Sequence, residues 1–68
     1  MKVQIYGLKS FIVEEGIIQV FCHIEIVNDG RKLLFIDRID IHGTIESMYL
    51  RTLLRRIHKY FKEKYGVE

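Results

Sequence analysis

The stretch Gly16-Ile17-Ile18-Gln19-Val20-Phe21-Cys22-His23-Ile24-Glu25-Ile26-Val27-Asn28-Asp29-Gly30 decides the fold. From Ile18 to Ile26 every even position is apolar, while Gln19, His23 and Glu25 fall on the odd side. Successive side chains of a strand point to opposite faces, so the alternation predicts a strand over 17–27 with one buried face. Asp29-Gly30 then signals a two-residue hairpin loop, which requires positive φ at both central residues. With that loop, Ile26 faces Leu33, Ile24 faces Phe35, Val20 faces Ile39 and Ile18 faces Ile41. A three-residue loop, Asn28-Asp29-Gly30, sets Ile26 against Lys32 and Val20 against Arg38 instead. Apolar matching favours the two-residue loop. It leaves Asp37 opposite Cys22 on the core face, unless a bulge near Asp37 or Arg38 turns it outward.

Towards the N-terminus, Glu15-Gly16 closes an earlier hairpin that brings Val13 and Phe11 opposite Ile18 and Val20. Val3 and Ile5 share a face, as do Phe11 and Val13, and Gly7 reads as a bulge or bend within one first strand. Beyond Gly43 the apolar period changes from two to 3.6. Leu50, Leu53, Leu54, Ile57, Tyr60 and Phe61 form one stripe of a helix over 45–65. Thr44 or Ser47 can cap its start and Gly66 can end it, with Lys62 and Lys64 suiting the negative end of the helix dipole. The expected architecture is α+β, one domain over 1–68: a three-stranded antiparallel meander followed by a long C-terminal amphipathic helix. Leu53 and Ile57 are expected to pack on Val20, Ile24 and Phe35.

Composition agrees with a sheet-built core. Of 68 residues, 49% are hydrophobic, Ile is the commonest of them and Ala is absent; branched Cβ atoms pack well on a pleated surface. The lone cysteine, Cys22, excludes an internal disulfide and a cysteine-based zinc cluster. The longest uninterrupted apolar run, Leu33 to Ile36, is far short of the roughly 20 residues a spanning helix needs. Nothing at the N-terminus resembles a signal peptide, so the expected location is cytoplasmic. Charge is unevenly spread: residues 1–50 carry five Lys/Arg and seven Asp/Glu, whereas residues 51–68 carry six Lys/Arg and two Glu.

Two surfaces follow from this pattern. At 100° per residue, His58, Arg51, Lys62, Arg55 and Lys59 lie within one arc of roughly 100° opposite the apolar stripe. No acidic residue interrupts it, and cations on a rigid rod can follow a phosphate backbone and release counterions. No reading-head motif for bases is present, so such binding would be indifferent to sequence. The second surface is the sheet face away from the helix, expected to carry Phe21, His23, Val27, Leu34 and Ile36. A single helix cannot cover both faces, and this patch suits a homodimer or another protein, with Phe21 and Ile36 buried between subunits.

Catalytic constellations are absent from the pattern. Cys22 and His23 are neighbours on a strand and point to opposite faces, so they cannot share an ion. His42 and His58 belong to different elements. Asp37 and Asp40, three apart, face opposite ways on a regular strand and read as charges that protect an edge. No cofactor, metal or small-molecule substrate is implied. The order β-β-β-α, with Val13-Glu14-Glu15-Gly16 closing a hairpin, resembles the latter part of a double-stranded-RNA-binding domain and also occurs in small sheet-reading DNA-binding domains. The RNA-binding family has a further helix before its sheet and a Lys-Lys pair at the start of its last helix. Here that helix opens Ile45-Glu46-Ser47-Met48, so the resemblance is one of element order and transfers no residue role. The expected function is a non-enzymatic binding module for a nucleic-acid backbone, with protein interaction or oligomerisation as the alternative.

Overall fold

In a computed structural model describing residues 1–68, the ladder built on Ile18–Ile26 sits at the middle of an antiparallel sheet. The elements in chain order are β1 (Lys2–Ile5), β2 (Ser10–Glu15), β3 (Ile18–Ile26), β4 (Lys32–Ile41) and α1 (Ser47–Tyr65). The strands follow one another as a meander, β1-β2-β3-β4, and the helix lies across one face. The class is α+β, with four strands where the sequence predicted three.

The additional strand arises at Gly7. Instead of bending one long strand, Tyr6 to Lys9 reverses the chain, and the Tyr6 amide donates to the Ser10 carbonyl at 3.1 Å. Leu8 at the tip is wholly exposed. Val3 then pairs with Val13 and Ile5 with Phe11. In the next hairpin Val13 pairs with Val20 and Phe11 with Cys22, two residues along β3 from the expected Ile18 and Val20.

The β3–β4 hairpin uses both loop registers considered for it. Near the turn Ile26 pairs with Lys32 and Ile24 with Leu34, as a three-residue loop requires. Farther on Val20 pairs with Ile39 and Ile18 with Ile41, as a two-residue loop would give. The shift between them falls opposite Phe21 and Cys22, where Asp37 is the extra residue of a bulge. The loop explains its own half. Within this loop only Gly30 has positive φ, at 86°, and nowhere in the chain does a residue other than glycine adopt it. A two-residue loop would need positive φ at Asp29 as well, a conformation costly for a residue with Cβ. In its place Gly30 donates to the Val27 carbonyl at 2.9 Å and Val27 donates to Arg31 at 2.9 Å.

The bulge corrects several expectations. Between loop and bulge the faces of β4 are inverted: Leu34 and Ile36 lie on the helix side, while Leu33 and Phe35 face outward. Asp37 is turned out of the core, as the sequence allowed through a bulge at this point. Leu53 and Ile57 are buried in one cluster with Val20 and Ile24, but Phe35 is not part of it. That cluster takes Phe11 and Val13 from β2, Ile18, Val20, Cys22 and Ile24 from β3, and Leu53, Ile57 and Phe61 from the helix. The helix therefore sits over β2 and β3. Leu34 and Ile39 of β4 are only partly covered.

The helix begins without a side-chain cap: Glu46, neither Thr44 nor Ser47, holds the cap position, and its carbonyl accepts from Tyr49 and Leu50. It ends as expected at Gly66, whose φ of 74° lets its amide reach the Lys62 carbonyl at 3.1 Å. The chain then turns back. Val67 is buried, and the Glu68 amide donates to the Lys32 carbonyl at 2.9 Å. No helix is long and apolar enough to cross a membrane.

Candidate nucleic-acid interface

The helix presents its buried stripe to the sheet through Leu53, Ile57 and Phe61. Phe61 meets Phe11 edge to face at 4.8 Å, and Tyr65 packs on the same Phe11 at 5.2 Å. This contact fixes the rotation of the rod about its axis. Arg51, Arg55, His58, Lys59 and Lys62 consequently all lie on exposed positions. From Arg51 to Lys62 the arc runs about 16 Å along the axis at ~1.5 Å per residue.

Arg51, Arg55, Lys59 and Lys62 take part in none of the molecule's ion pairs. His58 differs from them. Its Nε2 lies 2.8 Å from the main-chain oxygen of Glu68, so it holds the returning tail. Two other helix cations are diverted from the arc. Lys64 donates to the Tyr60 hydroxyl at 3.2 Å and lies over the rings of Tyr60 and Tyr65. Arg56 lies on the side of the helix near Glu15, whose pKa is lowered chiefly by the Met1 amino group 2.9 Å away, with Arg56 adding a smaller pull.

The outer sheet face is built differently. Asp37, turned outward by the bulge, accepts from Nδ1 of His23 at 2.7 Å, and Glu25 accepts from Nε2 of the same ring at 2.8 Å. A neutral imidazole has one N–H, so serving both carboxylates requires the imidazolium. The bond to Asp37, then that to Glu25, accordingly raises the His23 pKa above its ordinary value, against slight desolvation. Phe35 stacks on the ring at 5.3 Å. Beside them Arg38 pairs with Asp40 at 3.2 Å and covers the Phe21 ring at 4.3 Å.

The bulge thus puts Asp37 and Asp40 on one face, where they are engaged with different partners. Asp37 and Glu25 sit at opposite edges of the His23 ring, and no three His, Cys, Asp or Glu groups converge on a point that could hold a metal ion. Of the expected interface residues, Phe21 and His23 are on the outer face, while Leu34 and Ile36 have moved to the other. Cys22 is buried, and desolvation, with a smaller contribution from the Asp37 charge, pushes its thiol up to about 11. It is protonated at neutral pH and not nucleophilic.

A cleft of about 450 Å³ opens where the helix start meets the β2–β3 turn, lined by Glu15, Gly16, Ile17, Ile45, Glu46 and Tyr49. Its charged lining residues are both acidic, and it lies off the basic arc. Compared with family models, curated proteins and solved structures, the chain matches none.

Proposed function

We propose that this protein is a non-enzymatic module that binds a nucleic-acid backbone along the outer arc of α1. One observation carries the reading: four exposed cations of one sign, Arg51, Arg55, Lys59 and Lys62, have no partner within the fold. They do not hold the helix in place, and phosphates spaced along a rigid backbone are a natural complement. The interaction is electrostatic and indifferent to base sequence, because no reading-head motif aims the arc's Arg side chains, or an Asn or Gln, into a groove.

Counterion release makes the reading quantitative. Four phosphate contacts give a log–log salt slope of about −3.6 on duplex DNA. The double change Arg55→Glu with Lys59→Glu removes two of them and flattens the slope by about 2, while weakening binding equally across sequences. The test is a salt titration of the parent and this variant on generic duplex and single-stranded DNA and RNA. No binding by the parent at low salt, or equal binding by the variant, would overturn the proposal.

A further inference from the structure

The longest strand of the sheet is also an edge. β4 pairs with β3 on one side and no strand follows it on the other. Hydrogen bonds at its two ends settle which backbone groups it turns outward. Val27 donates to Arg31, so the adjacent pair, Ile26 with Lys32, is a non-hydrogen-bonded one and the groups of Lys32 point away from β3. The Lys32 carbonyl accordingly accepts from Glu68 rather than from the sheet. At the other end the His42 amide donates inward to Ile17 at 2.9 Å. Alternation inward from these ends turns the N–H and C=O of Leu34, Ile36, Ile39 and Ile41 outward. The bulge sets Ile36 and Ile39 three residues apart, where an unbroken strand would repeat every two.

We propose that β4 pairs antiparallel with β4 of a second copy of this chain about a two-fold axis. Ile36 then meets Ile39 of the second copy, Leu34 meets its Ile41, and the two sheets become one. In this register all four outward-facing residues find outward-facing partners, and the two bulges coincide because the axis relates them. All four side chains belong to the helix side, so apolar meets apolar, and Ile36 and Ile41, exposed by 42% and 38%, gain cover. On the opposite face the same register sets Arg38 against Asp37 of the second copy. Charges on an edge ordinarily repel a second strand; here the axis brings opposite signs together. Lys32 falls beyond the paired span and keeps its bond to the tail. Such an interface is closed and self-complementary. It also places both helices on one face of the joined sheet with their basic arcs outward. The pairing stands independently of nucleic-acid binding, which a monomer could also perform.

Light scattering and amide hydrogen exchange on the parent protein test the pairing. The expected mass at micromolar concentration is twice 8.2 kDa, with the amides of Leu34, Ile36, Ile39 and Ile41 protected and exchanging faster on dilution. Arg38→Asp sets acids against acids and is expected to give monomers, as is Asp37→Arg, which sets bases against bases. Mixing these two variants is expected to restore the dimer. A parent that stays monomeric overturns the proposal, as does a dimer in which those four amides exchange freely or which Arg38→Asp leaves intact.

Discussion

On the outer side of the helix, Arg51, Arg55, Lys59 and Lys62 have no acidic partner, whereas on the outer side of the sheet every charge near the bulge is engaged. His23 joins Asp37 and Glu25, and Arg38 joins Asp40 while covering Phe21. The helix positions are set by the buried stripe beneath them, so their charges are free of any structural task. The charges on the sheet are paired with one another across the distorted strand: Asp37 is outside the core and bonded to the His23 ring, which Glu25 also holds. Partners within the fold thus set the sheet charges apart from the helix cations, which have none.

The largest expected effect tests what keeps the two sides apart. Leu53 is buried to 2% exposure beneath the arc and above β3. Leu53→Ala is expected to cost roughly 2–5 kcal/mol, as truncation of a buried Leu usually does. Chemical denaturation would measure it, and a loss under about 0.5 kcal/mol would mean that the helix is not anchored on the sheet as described.

A smaller effect concerns the sheet side. Because the folded-state pKa of His23 is raised, its pairing contributes stability that is complete below the unfolded value of about 6.5 and is lost as pH rises through the folded value. In Asp37→Asn the His23 titration midpoint, followed by NMR, is expected to fall towards the ordinary value. The variant should melt below the parent in mildly acidic buffer, and the difference should shrink in alkaline buffer. A His23 midpoint unchanged by the substitution would show that Asp37 does not hold the imidazolium.

The smallest effect is expected on the helix. Arg55→Glu with Lys59→Glu should leave the melting temperature nearly unchanged while weakening the proposed nucleic-acid binding. A marked loss of stability, measured by thermal unfolding with circular dichroism, would mean that the arc has a structural task and would erase the contrast between the two sides.

Much of this was legible in the chain, for identifiable reasons. A strict period of two over 18–26 and a period of 3.6 over 50–61 each have one buried face as their cause, and both elements formed where those periods lie. Gly66 could be read as a helix stop because its αL conformation is a local requirement. The helix arc was legible too, since its geometry follows from 100° per residue once the apolar stripe is known. Glu46 at the helix start was not, because its backbone carbonyl takes that position without any side-chain signature.

The strand count could not have come from periodicity. Val3, Ile5, Phe11 and Val13 are all odd-numbered, and the hairpin pairs Val3 with Val13 and Ile5 with Phe11. One straight strand and one tight hairpin put the same residues on the same face, so the pattern is silent between them. Sequence by itself determined the class of the fold, the buried faces of β3 and α1, and the cations opposite the helix stripe, because each depends on one element's own period. Tertiary structure alone decided the turn at Gly7 and the burial of Val67, and it settled the bulge that the sequence left open near Asp37 or Arg38. The bulge shows the reason most plainly. The loop admits positive φ only at Gly30 and asks for one register, the pairing of Val20 with Ile39 asks for the other, and only a bulge satisfies both.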